Sequence, residues 1–175
     1  MKNFCILALA AVAVFCLGRP VFPQAPAALS RGDFAIGSVA AGDSFSKAVK
    51  VFGKPTLVKT TKDEISGSEV HHYRTASGVE FSAADSPDVP DGRAIWSITV
   101  SDAKFATPRG IKVGDAKSLV INKYGKPPSQ SEVKTEGKTL IMLDYSSMKF
   151  YRALVFFVNK SRNAVEKIQA ALIID

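Results

Sequence analysis

The apolar residues of this chain fall into three kinds of run, and each predicts a different element. From Phe4 to Leu17 every residue is apolar or small. This run is shorter than the roughly 20 apolar residues a membrane span requires. Phe45, Ala48, Val49 and Phe52 recur at helical spacing and predict one amphipathic helix. Elsewhere the period drops to two, predicting strands at 56–62, 69–75, 78–83 and 93–101, and again at 129–135, 138–145, 152–159 and 164–174. In 93–101 the alternation places Ala94, Trp96, Ile98 and Val100 on one face, opposite Ser97, Thr99 and Ser101. The strand 152–159 breaks that rule. Leu154, Phe156 and Val158 line one face, yet Val155 and Phe157 line the other, and the neighbouring Ile141 and Met142 repeat the pattern.

These elements come in two sets. A shift of 72 residues lays 42–55 over 114–127 with six of fourteen positions identical: a Gly-Asp at the start, a serine, and Gly-Lys-Pro at the end. Val39 and Ile111 upstream, and Tyr73 and Tyr145 downstream, keep the same offset. Asp43 and Asp115 are expected to cap a helix by accepting the first-turn N–H groups. Gly53 and Gly125 are expected to end it in a left-handed residue, and Pro55 and Pro127 to block continuation. A helix this short is unstable alone in water and needs a sheet to pack on. The expected fold class is therefore α+β, with two tandem repeats over 28–102 and 103–175. Each would be a short helical segment packed on a four-stranded antiparallel sheet.

The pattern Ile111-x-Val113-Gly114-Asp115, then Val120, then Tyr124-Gly125-x-Pro127, followed by four strands and present twice, resembles the beta-lactamase inhibitory protein fold. It is also similar to the SmpA/OmlA lipoproteins of outer-membrane assembly. The resemblance implies a helical hairpin on a four-stranded sheet and an exported, non-catalytic protein that works by binding other proteins. It transfers no functional residue, because the matched positions are helix caps and core.

The N-terminus changes how the rest is counted. Lys2, the apolar run and the break at Gly18-Arg19-Pro20 read as a secretory signal, with small residues at Ala25 and Ala27 predicting cleavage before Ala28. Cys5 and Cys16 both fall in that segment. The mature chain is thus expected to have no thiolate nucleophile, no cysteine-bound zinc, no disulfide and no transmembrane segment. Charge is uneven: 28–102 holds 8 basic and 10 acidic residues, and 103–175 holds 13 basic and 6 acidic. The basic second half suits an acidic or envelope-associated protein partner, or alternatively a small ligand or anionic wall polymer. The basic residues are dispersed and no nucleic-acid module is legible.

Candidate chemistry is sparse, and neither an enzyme nor a cofactor is expected. His71 and His72 are the only histidines, and as strand neighbours they point to opposite faces and cannot chelate one metal. Asp85, Asp88 and Asp91 share a loop with Pro87, Pro90 and Gly92, which is ordinary turn composition and lacks the spacing of a calcium loop. Arg31-Gly32-Asp33 is an adhesion tripeptide that would be exposed near a new N-terminus. The expected partner-binding surface is the second face of strand 152–159. It comprises Met142, Val155 and Phe157 as apolar anchors and Lys149 and Arg152 as rim charges, with no catalytic or metal-binding residues assigned.

Overall fold

The chain is described from a computed structural model covering residues 27–64, 66–135 and 137–173. The signal segment expected at 1–27, with both cysteines, lies outside the described residues except for Ala27. The order of elements is a 3-10 turn at Arg31–Asp33, a two-stranded hairpin of β1 (Ala35–Ile36) and β2 (Val39–Ala40), then α1 (Phe45–Phe52). Four strands follow: β3 (Pro55–Lys62), β4 (Glu69–Thr75), β5 (Glu80–Asp85) and β6 (Arg93–Val100). After α2 (Lys117–Tyr124) come β7 (Ser129–Thr135), β8 (Lys138–Asp144), β9 (Arg152–Asn159) and β10 (Ala164–Leu172).

The Gly-Asp pair before each helix acts differently from the expected cap. Gly42 and Gly114 take left-handed φ values of 92° and 95°. Each following carboxylate then closes its own preceding turn: Asp43 accepts the Ala40 N–H, and Asp115 the Lys112 N–H, both at 2.7 Å. The backbone of each pair is tied to the start of a distant strand. Gly42 N–H donates to Ile95 O (2.6 Å) and Ile95 N–H to Asp43 O (2.8 Å). Gly114 and Asp115 do the same with Val165, at 2.8 Å each way. Held in a strand-like bridge, the aspartates cannot cap, so the cap passes one residue on, to Ser44 and Ala116. Ser44 Oγ accepts the Lys47 N–H (3.3 Å), while Ala116 offers no side-chain acceptor. At the other end both helices stop at the expected glycines with positive φ, but with ψ of 174° and −175° in place of the compact left-handed helical conformation. Gly53 and Gly125 have φ of 93° and 84°, and their N–H groups close the last turns onto Val49 and Ile121.

The expected pair of four-stranded sheets is instead one eight-stranded antiparallel sheet in the order β3-β4-β5-β6-β10-β9-β8-β7. The last strand of each set meets the other at the centre, with Val100 opposite Ile168 and Ile98 opposite Ala170. Both strands are rich in buried apolar residues, and leaving either as a free edge would expose them together with unpaired backbone groups. The actual edges, β3 and β7, are dominated by Thr, Ser, Lys and Glu and are exposed almost throughout.

One face of this sheet carries the core. Val79, Phe81, Ile95, Ile98, Leu143, Leu154, Phe156 and Ile168 pack with α1, α2 and the β1–β2 hairpin into one cluster. A β-bulge corrects the expected alternation of β6: Ser97 pairs with Ser82 and Ile95 with Ala83, leaving Trp96 as the extra residue. Ile95 consequently points inward, fully buried, and Trp96 joins Ser97 on the outer face.

Candidate functional site

The outer face of the sheet, opposite the helices, differs along its length. Across the first four strands Lys59, His72, Ser82 and Ser97 stand directly opposite one another in successive strands. Together with Arg74, Glu80 and Thr99 they line a shallow depression of about 380 Å³. Ser82 and Ser97 share a hydrogen bond of 2.7 Å, His72 Nε2 lies 2.9 Å from Thr61 Oγ1, and Arg74 pairs with Glu80 at 2.5 Å. Burial, helped by Lys59 and His71, pushes the His72 pKa down and favours the neutral ring. The histidine and the serines thus resemble a base beside hydroxyls, but each is committed to another partner. His71 lies on the other face, its ring 6.4 Å from Tyr73 and its Nδ1 3.0 Å from Thr60 Oγ1.

Beyond the central pair of strands the outer face turns apolar. Met142 pairs with Phe157, and Phe157 with Lys167, whose Nζ stands 5.4 Å from the ring centroid. Val155 sits one step along, between Asp144 and Gln169. All three apolar side chains are half-buried, while Leu154, Phe156 and Val158 on the reverse face are fully enclosed. The structure therefore brings together Met142, Val155 and Phe157, as the two-sided pattern of β9 predicted.

It does not bring the two expected rim charges to them. Arg152 has the parity of Leu154 and Phe156, so it lies on the core face, only 8% exposed. That parity was readable in the sequence and opposes Val155 and Phe157. Lys149 is exposed in the loop between β8 and β9, its Nζ 5.4 Å from the Phe150 ring, which itself meets Phe34 at 5.9 Å. It belongs to the core-side pole. The cation that reaches Phe157 is Lys167, and the β10 register is what selects it.

Two other candidates have structural work. Asp33 of the adhesion tripeptide, expected to be exposed, is 7% exposed and held by Arg109 through Nε (2.7 Å) and Nη2 (2.9 Å). The Arg109 hydrogen bonds, with further ones from Ser30, hold the Asp33 carboxyl at a pKa of about 2 against the opposing effect of burial. Arg109 also donates to the carbonyls of Ala27, Ala28 and Lys123 and lies 5.0 Å over the Tyr124 ring. It straps the N-terminal segment to the end of α2. In the aspartate-rich loop, Asp91 accepts the Ser46 N–H at 2.6 Å, serving the first turn of α1, and Asp85 pairs with Arg93 at 3.5 Å. Among the described residues no group of three or more His, Cys, Asp or Glu converges as a metal site, and no helix is long and apolar enough to cross a membrane.

No protein-family model matches the chain, and no curated protein sequence matches it. Partial likeness is found to several solved structures, among them the following three. A cysteine-rich secretory protein from Staphylococcus aureus has 11% identity over 77% of this chain and 45% of its own, with TM-score 0.47. The DUF4309 family protein YjgB from Bacillus subtilis has 11% identity over 74% and 78%, with TM-score 0.39. A candidate beta-lactamase inhibitor protein from Streptococcus mutans has 12% identity over 83% and 90%, with TM-score 0.27. This chain spans less than half the length of the staphylococcal protein. The streptococcal protein touches the resemblance drawn from the sequence only loosely, and at these values none of the three assigns a family or an activity.

Proposed function

We propose that the chain is an exported, non-catalytic binding protein, arisen by internal duplication, whose working surface is the outer face of β8, β9 and β10. The observation that carries this reading is the cross-strand group Met142, Val155 and Phe157, half-buried on the face opposite α1 and α2. Apolar anchors presented together on a sheet face are the usual centre of a protein contact. Lys167 beside Phe157 and the basic excess of the second half favour an acidic partner, with charge acting mainly on the encounter rate. The duplication is supported by turns and helices that recur at an offset of 72 residues, and by bridges whose strand partners, Ile95 and Val165, recur at an offset of 70. Export is supported by the signal-like first 27 residues.

The test is cross-linked capture from envelope fractions, comparing the parent with Phe157→Ala and, as a control on the polar half, Lys59→Gln. Phe157→Ala should lose the species that the parent and Lys59→Gln retain. Capture unchanged by Phe157→Ala places the contact elsewhere. Capture that vanishes in high salt in every variant points to a polyanion and not to an apolar protein contact. Intact mass of the exported protein settles the cut: a mature form that keeps residues 1–20 removes export from the reading.

A further inference from the structure

The side chain of Arg152 is out of place for a core position. It stands at the first residue of β9, opposite Leu172, and faces inward with 8% exposure. Its Nε is enclosed without a hydrogen-bond partner. None of the ion pairs among the described residues involves it. Room for the guanidinium is left by Gly42, where a Cβ would stand 2.9 Å from Nη2. The carboxylate that bears on it electrostatically is Asp43, but Asp43 Oδ2 is held at 2.7 Å by both the Ala40 N–H and Lys47 Nζ.

The surroundings add positive charge. Burial and the exposed Arg31 of the N-terminal 3-10 turn push the Arg152 pKa down, with Asp43 opposing them. Lys149 lies in the adjoining loop, which packs on the start of the chain through Phe150 and Phe34. A guanidinium does not shed its proton in a protein, so burial without a counter-ion is a standing electrostatic penalty. A methionine would fill similar space without the charge. An oxyanion held by the guanidinium and by Arg31 would offset the penalty with charge-assisted hydrogen bonds.

We propose that Arg152, with Arg31 beside it, forms an oxyanion-binding site where the 3-10 turn, the turn at Gly42 and the β8–β9 loop meet, and that it takes a single carboxylate or phosphate group. The site is separate from the apolar outer face, so it stands or falls independently of that surface.

Thermal unfolding of the full chain tests it in sodium chloride, sodium phosphate and sodium succinate at equal ionic strength. Phosphate or succinate should raise the midpoint by several degrees over chloride, by preferential binding to the folded state. Whichever anion acts identifies the group recognised. Arg152→Met should melt no earlier than the parent in chloride and should lose the anion response altogether. Arg31→Gln should keep the fold and weaken the apparent anion affinity at least threefold. Should Arg152→Met fail to fold, Arg152→Lys carries the comparison, with at least a tenfold loss of apparent affinity expected from the shorter, single-point donor. Equal midpoints in the three salts for the parent, an anion response that survives in Arg152→Met, or one undiminished in Arg152→Lys overturns the site.

Discussion

α1 and α2 occupy matching places in the chain, are both eight residues long, and end in glycines of the same conformation, yet they are held very differently. α1 lies in an aromatic nest: Phe45 meets Tyr73 at 4.8 Å and Phe81 at 5.8 Å, while Phe52 meets Phe105 at 5.0 Å. α2 is anchored by Val120 and Tyr124, with Leu119 and Ile121 left 36% and 37% exposed. Tyr124 reaches Phe156 at 5.2 Å and Tyr145 at 5.4 Å, and the Tyr145 hydroxyl closes onto Gly125 O at 2.7 Å. The outer face shows the same divergence, with hydroxyls and ion pairs on one half and apolar anchors on the other. What matches between the halves is backbone geometry: turns, caps and bridges. What differs is side-chain surface, which can change without refolding.

The sharpest way to break this comparison is on β9, where adjacent residues face core and solvent. Phe156→Ala should cost about 3 to 4 kcal/mol in urea melts, because it opens a cavity against Tyr124 and Tyr145. Phe157→Ala should cost about 1 kcal/mol or less while abolishing partner capture. Equal destabilisation by the two would make both faces core.

The strap at Arg109 comes next. The Asp33 carboxyl titrates near 2 in the fold against 3.8 in the open chain. Its contribution is therefore full above about pH 4 and is lost as pH falls towards 2. That difference corresponds to about 2 kcal/mol. Asp33→Asn should remove about this much at neutral pH and flatten the acid limb of the stability curve. Because Arg109 also holds the Lys123 carbonyl, amide exchange in α2 should rise more than in α1. A uniform rise in both helices would show that the strap does not act on α2 in particular.

Smaller effects test the matching parts. Gly53→Ala and Gly125→Ala should each cost about 1 kcal/mol or more, because both combine a positive φ with an extended ψ that a Cβ opposes. A large difference between them would mean that one end relaxes into another turn. Last, Ala116→Ser should supply the hydroxyl acceptor that Ser44 provides at α1 and stabilise by about 0.5 to 1 kcal/mol. No gain in melting would show that the first turn of α2 already finds its acceptors in solvent.

The sequence alone determined the order and ends of most elements, because turn and cap chemistry is local. A glycine at a left-handed position and a proline beyond a helix act within a few residues of themselves, and strand alternation needs only the next residue but one. The two-sided pattern of β9 was legible for the same reason, and so was the parity that separates Arg152 from Phe157. Tertiary structure alone decided the joining of β6 to β10 and the bulge that turns Trp96 outward. It also decided the aspartates that bridge instead of capping, the strap from Arg109 to Asp33, and the choice of Lys167 as the cation beside Phe157. Each of these depends on pairing between residues far apart in the chain, where register and burial are set by competition among all the strands and leave no mark on any one segment.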